Sequence, residues 1–122
     1  PYTAEAVEGT AYASLTGTSM VSDLIKVAPK FLYHACAAVR AASGDTVTIT
    51  VGLYTTGAEE SPVASYATSV TSDSSTAWNY LQVINEDSGL GNLYTGNYRY
   101  ARITISTTGT SVDVDRVILR PY

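Results

Sequence analysis

Basic residues are scarce in this chain, and their scarcity excludes several classes of partner. Seven Lys and Arg stand against eleven Asp and Glu, which gives a net charge of −4. A nucleic-acid-binding protein needs a basic face that neutralises phosphates, and anionic membranes attract clusters of Lys and Arg. The chain has no such cluster, and its apolar runs are far shorter than the roughly 20 residues that span a bilayer. We therefore expect neither nucleic-acid binding nor membrane insertion.

Residues that usually carry out catalysis are equally few. Cys36 is the only cysteine and His34 the only histidine, so no intrachain disulfide can form. A nucleophilic triad needs a base beside its Ser or Cys, and two residues on one strand do not make a zinc site. The adjacent acidic pairs at 59–60 and 86–87 are typical of solvated loops. We expect a protein that is not an enzyme, with Cys36 as a small buried residue.

Apolar residues alternate with small or polar ones over two long stretches. One covers 31–41, and the other, 46–53, carries threonine at 46, 48 and 50. A period of two is the pattern of a strand with one buried face. Because Ser43, Gly44 and Asp45 form a turn signal between them, the pattern predicts a hairpin with an apolar inner face and a threonine-rich outer face.

Shorter stretches extend this reading to the whole chain. Strands are predicted at 10–16, 23–27, 63–70, 78–84, 98–106 and 112–120, the last two forming a second hairpin. Turn signals every 8–12 residues favour an all-β fold, an antiparallel β-sandwich of about 8–9 strands. We expect an N-terminal arm at 1–9 and a single domain at 10–122. Since the chain begins at Pro1 without Met, we expect a trimmed product or a piece of a longer polypeptide.

Tyrosine supplies most of the aromatic side chains: ten Tyr accompany one Phe and one Trp. A tyrosine ring with its hydroxyl suits flat polar ligands such as sugars. Tyr98, Tyr100 and Arg102 have the parity opposite to the apolar positions of their strand, so they are the candidate ligand-binding residues. The alternative is a ladder of side chains that only decorates an exposed sheet. Trp78 is expected to anchor the core or an edge, or else to form a sugar platform.

Two carboxylates mark the last predicted strand. Asp113 and Asp115 are two residues apart and therefore share one face of it. A carboxylate near a strand end needs backbone N–H groups, an arginine or a bound cation as its partner. This spacing favours a cation ligand or a structural hydrogen-bonding role over catalysis.

The order of four degenerate motifs resembles the jelly-roll domains of carbohydrate-binding modules. The first is an entry segment at 25–30 followed by a strand at 33–41, and the second is the partner of that strand, at 46–53. The third is a tryptophan-led strand at 78–83, and the fourth is a closing pair at 101–105 and 114–119. The resemblance implies a jelly roll whose relatives occur on polysaccharide-degrading enzymes and, diverged, in bacteriophage virions. It also implies a structural calcium beside the closing aspartate, which Asp115 matches. Arg116 stands where the family has a second aspartate, so the cofactor expectation is either none or this calcium.

Two functions follow from these observations. The first is a non-catalytic structural or adhesive module of a virion surface, such as a capsid decoration or a tail appendage, or of another extracellular assembly. The alternative is a glycan-binding module of a secreted polysaccharide-active protein. Small uncharged sheet faces favour the first function, because they suit close packing against neighbouring subunits. The expected partners are neighbouring proteins, further copies of this chain, or a surface glycan, and the expected location is a virion surface or the extracellular space.

Overall fold

The computed structural model describes residues 12–16, 19–21, 24–57, 61–85 and 93–121. In these residues the chain forms strands and turns without a helix, so no helical segment among them has the length and apolarity that a membrane crossing requires. The strands are β1 (Tyr12–Thr16), β2 (Ser19–Val21), β3 (Ile25–Lys26), β4 (Leu32–Arg40), β5 (Thr46–Tyr54), β6 (Ala64–Thr71), β7 (Asn79–Gln82), β8 (Leu93–Tyr94), β9 (Tyr100–Thr107) and β10 (Ser111–Pro121). The expected arm at 1–9 lies outside the described residues.

The strands form two antiparallel sheets. Sheet I has the order β1-β10-β4-β7, and β8 also pairs with β4. Sheet II has the order β2-β9-β5-β6, and β3 also pairs with β9. This arrangement confirms the predicted all-β antiparallel sandwich. The sequence did not predict β2 and β8, which have only three and two residues.

The core lies between the two inner faces, where the alternation places it. On β4 the inward residues Tyr33, Ala35, Ala37 and Val39 are buried, and β5 presents an apolar row from Val47 to Leu53 at the same period. The opposite faces of β4 and β5 carry mostly half-buried residues, with Ala38 and Tyr54 among the buried exceptions. Burial of these rows supplies the main favourable term in folding.

Both predicted hairpins are wrong, although their strands are in the predicted places. β4 pairs with β10, β7 and β8, whereas β5 pairs with β6 and β9 in the other sheet. Strands β9 and β10 are likewise in opposite sheets. Alternation shows only which side chains point inward, and two inward faces can meet across a sandwich instead of side by side in one sheet. The segment between β4 and β5 therefore carries the chain from sheet I to sheet II.

Ser72 ties down this sheet-to-sheet connection. Its N–H donates to the carbonyl of Asp45 at 2.9 Å, and its hydroxyl donates to the carbonyl of Ala41 at 2.8 Å. Gly44 has a φ of 93°, which only glycine adopts easily, and its N–H donates to the carbonyl of Ser72. Because Ser72 is buried, these bonds satisfy polar groups that water does not reach.

Candidate functional site

The outer face of sheet II holds two of the three predicted ligand-binding residues. Tyr100 and Arg102 alternate on β9 with the buried Ala101 and Ile103, so their outward parity is as expected. Tyr98 precedes the strand and packs against the hydrophobic core. The structure therefore brings Tyr100 and Arg102 to one face and places Tyr98 beside the core.

The side chains of Tyr100 and Arg102 make contacts within the protein. Tyr54, which faces Tyr100 across the strands, is only 3% exposed although it lies on the outer face. The Arg102 guanidinium carbon lies 5.7 Å from the centroid of the Tyr54 ring, a distance at which a cation–π interaction operates. A Cβ atom on Gly57 would lie 3.5 Å from the Tyr100 ring, which shows how closely the segment after β5 approaches it. Ligand binding by this group stays a prediction.

Glycine at position 52 allows the segment before β6 to pack on the same face. A Cβ atom there would lie 3.0 Å from Cβ of Pro62, closer than such atoms normally approach. Farther along the sheet the face carries hydroxyl groups that pair between β5 and β6. Thr46 Oγ1 lies 2.9 Å from Thr71 Oγ1, and Thr48 Oγ1 lies 2.7 Å from Ser69 Oγ. This part of sheet II is a polar surface without charge.

The outer face of sheet I is different, because its aromatic groups are exposed. On β7 the inward Leu81 is buried, while Tyr80 is 77% exposed, the largest exposure among the exposed large hydrophobic residues. Trp78, two residues earlier, is half-buried and lies beside Arg40 of β4. We call the surface formed by Arg40, Trp78, Tyr80 and Asp113 the aromatic face.

An ion pair holds the polar part of the aromatic face in place. Arg40 and Asp113 are register partners on β4 and β10, and Nε and one terminal nitrogen of Arg40 donate to Asp113 Oδ2 at 3.0 and 2.8 Å. The Arg40 guanidinium carbon lies 4.5 Å from the centroid of the Trp78 ring. The carboxylate of Asp113 holds the Arg40 guanidinium in one orientation through these hydrogen bonds. The guanidinium in turn restricts the Trp78 indole through a cation–π interaction. Asp113 therefore has the structural role that the sequence left open for it.

Asp115 is the predicted calcium ligand, and its side chain lies outside the described residues. Its backbone pairs with Tyr12 on one side and Ala38 on the other, just before an irregularity in the β10 register. Among the residues that the structure describes, no three His, Cys, Asp or Glu side chains cluster as a metal site would require. Calcium binding by Asp115 stays a prediction.

Cys36 lies on the outer face of β4, between the half-buried His34 and the buried Ala38. The sequence predicted a small buried residue, whereas the Cys36 side chain is half-buried because even positions of β4 face outward. Desolvation by burial raises the pKa of the Cys36 thiol, and the positive charge of Arg120 partly opposes that rise by lowering the pKa.

We expect Cys36 to react more slowly with iodoacetamide at neutral pH than a free thiol does. The thiolate is the reacting species, and a raised pKa leaves less of it at a given pH. Arg120→Ala removes the charge that lowers this pKa, so it should move the pH–rate curve to higher pH. Alkylation rates measured across pH check this, with Arg99→Ala as the control that should leave the curve in place. A shift to lower pH in Arg120→Ala would contradict the assignment.

The alternation of side chains along β7 was enough to predict from the sequence that the aromatic side chains face outward. Leu81 and Val83 are apolar and buried, so Trp78 and Tyr80 must lie on the other side of β7. The sequence pattern of Tyr98, Tyr100 and Arg102 predicted a site on β9 instead. The contact between Trp78 and Arg40 depends on the pairing of β7 with β4, which the sequence does not show.

Comparisons with known proteins agree with this architecture. No protein-family sequence profile matches the chain, and no curated protein sequence matches it. Among solved structures, the chain is similar to TmCBM61, determined in complex with β-1,4-galactotriose, with a TM-score of 0.61 and 11% sequence identity over 98% of this chain and 94% of that one. It is also similar to a CBM4 structure, with a TM-score of 0.60 and 14% identity over 99% and 84% of the two chains. The protein therefore has the fold of these carbohydrate-binding modules.

Proposed function

We propose that the protein is a glycan-binding module and that the aromatic face is its binding surface. The observation that carries the proposal is the exposed ring of Tyr80 beside a Trp78 ring fixed by Arg40. Tyr and Trp side chains are enriched at binding interfaces, because each combines a large apolar ring with a hydrogen-bonding group. The similarity to TmCBM61, which was solved with a galactotriose, supports the same function.

The chemistry of the aromatic face suits a sugar. Sugar rings have apolar C–H faces that pack on aromatic rings, and hydroxyl groups at their edges that need donors and acceptors. Arg40 places N–H donors beside the Trp78 ring, and its ion-pair partner Asp113 adds carboxylate oxygens on the neighbouring strand β10. The pair is charge-balanced, so it offers hydrogen bonds to neutral hydroxyl groups without a net charge that would demand an ionic ligand. The proposed role is binding without catalysis.

Tyr80→Ala should weaken glycan binding by about 1–2 kcal/mol, which is roughly a 5- to 30-fold increase in Kd. The reason is the loss of a ring that is 77% exposed, whose removal leaves the core untouched. A glycan array that includes β-1,4-galactotriose identifies the ligand, and isothermal titration calorimetry measures Kd.

Tyr100→Ala is the matched control, because it removes a tyrosine of the other sheet. If Tyr100→Ala weakens binding and Tyr80→Ala does not, the site lies on sheet II, as the sequence predicted. Absence of binding by the wild-type protein to every glycan at millimolar concentration would contradict the proposed function.

A structural or adhesive role in a virion or another extracellular assembly is the second candidate. The supporting observation is the uncharged part of the outer face of sheet II along β5 and β6, where paired hydroxyl groups such as those of Thr48 and Ser69 form a regular surface. Such a face suits contact with a neighbouring subunit, because no charge has to be desolvated. Co-purification of the protein with assembled particles tests this role.

A further inference from the structure

Of the strands that the structure describes, β6 is the longest that lies at a sheet margin. It has eight residues, whereas the other strands at sheet margins have five in β1, four in β7, three in β2, and two each in β3 and β8. In the described part of the chain β6 pairs only with β5, so its far edge carries no strand. Natural proteins usually protect such edges by shortness, charge, proline or a bulge.

None of these protections is present in β6. Its sequence, ASYATSVT, contains no charged residue and no proline. Its register with β5 runs without interruption from Thr71 opposite Thr46 to Ala64 opposite Leu53. A regular, uncharged edge of this length is a template for pairing with another strand.

The backbone groups available on this edge can be assigned. The pairing of β5 with β6 ends at Thr46 opposite Thr71, so Asp45 and Ser72 are the next residues opposite each other. Ser72 N–H donates to the carbonyl of Asp45, which makes this a hydrogen-bonded pair. Hydrogen-bonded pairs alternate along an antiparallel ladder, so Thr68 and Val70 exchange bonds with β5. The N–H and carbonyl groups of Ala67 and Ser69 therefore point away from β5.

The side chains along the edge are compatible with a second copy of the same strand. Tyr66 and Val70 face inward and pack against the core, but both stay only half-buried at the margin. Thr68 lies between them and donates its hydroxyl to the carbonyl of Gln82 at 2.8 Å, which joins the two sheets at this side. The outward Ala67 and Ser69 are exposed and small, so they leave the approach to the edge open.

We propose that two copies of the chain pair antiparallel through β6, with Thr68 of one copy opposite Thr68 of the other. This register sets Ala67 opposite Ser69 of the second copy, so the outward-pointing backbone groups of both strands form hydrogen bonds. It also sets Tyr66 opposite Val70 of the second copy, an aromatic and β-branched pair that stabilises sheets. The absence of charge in β6 means that the two identical strands do not repel each other.

Sedimentation velocity over a concentration series tests the pairing. We expect the wild-type protein to form dimers as its concentration rises. Ala67→Pro should raise the dimer dissociation constant at least about tenfold, because proline removes an N–H that points away from β5 and obstructs the incoming strand. Ala67→Lys should act in the same direction by placing like charges near one another at the joined edges. Far-UV circular dichroism and thermal unfolding verify that each variant folds. If Ala67→Pro does not fold, the dimer dissociation constant of Ala67→Lys decides the result.

Ser106→Lys is the matched control, because it adds the same charge to sheet II on the interior strand β9. It should leave the dimer dissociation constant unchanged. A wild-type protein that stays monomeric at every concentration reached would overturn the proposal, as would dimers that Ala67→Lys leaves intact. Glycan binding by Tyr80→Ala is measured separately, so failure of one proposal does not affect the other.

Discussion

Leu93→Ala should lower the free energy of unfolding by about 2–5 kcal/mol, although its strand has only two residues. Leu93 is 0% exposed and is among the largest fully buried side chains of the protein. Removing most of that side chain forfeits its burial and leaves a cavity that neighbours fill only in part. Since domains are stable by about 5–15 kcal/mol in total, this change should be visible as a large shift of the urea unfolding midpoint.

Tyr94→Ala is the control for Leu93→Ala, and it should cost less than about 1 kcal/mol. Tyr94 is 37% exposed and faces the other way. Its backbone N–H and carbonyl bond to the side-chain amide of Asn85 at 2.6 and 2.9 Å, and those bonds do not depend on the tyrosine ring. Equal costs for the two substitutions would mean that β8 does not have the described inward and outward faces.

Thr95→Val should lower the free energy of unfolding by about 1–3 kcal/mol, because it removes a hydroxyl and leaves that hydroxyl's hydrogen-bond partners unpaired. Valine keeps the shape of threonine, so the packing changes little. Thr95 is almost fully buried. Its hydroxyl accepts the N–H of Phe31 at 3.0 Å and donates to the carbonyl of Ala28 at 2.6 Å. It thereby holds the 28–31 turn, in which Lys30 has a φ of 55°, against the segment after β8.

Thr95→Ser keeps the hydroxyl and separates its contribution from that of the methyl group. We expect urea unfolding to show a smaller loss for Thr95→Ser than for Thr95→Val. The opposite order would mean that methyl packing, and not the hydrogen bonds, stabilises this turn. Amide hydrogen exchange at Phe31 gives a local reading, because its N–H loses its acceptor only in Thr95→Val.

The sequence was sufficient to predict the faces of the strands but not their neighbours. The alternation in β4 and β5 places Val39 and Val47 in the core, because a side chain's direction depends only on its own strand. Pairing depends on which strands meet after the chain turns, and both corners here cross between sheets instead of closing a hairpin. Strand β8 has only two residues, too few to show a periodic pattern, so the burial of Leu93 became evident only in the structure.

The same distinction applies to the candidate site. Parity correctly placed Tyr100 and Arg102 on the outer face of β9. It carried no information about Tyr54, whose ring lies beside Arg102 because β5 is the neighbour of β9. Parity with Leu81 gives the direction of the Tyr80 side chain, but its 77% exposure depends on the assembled sandwich and became evident only in the structure.

The pairing of β1 with β10 has a consequence for how the protein is made. Tyr12 and Asp115 are register partners, so their strands meet only after a loop of about a hundred residues has closed. Since β10 also lies between β1 and β4, sheet I stays split until this late strand has left the ribosome. Until then β4 presents an uncovered edge, which is the kind of surface that aggregates during synthesis. We expect folding on the millisecond-to-second scale typical of sandwiches dominated by distant contacts, with chaperone dependence concentrated in the interval before β10 emerges.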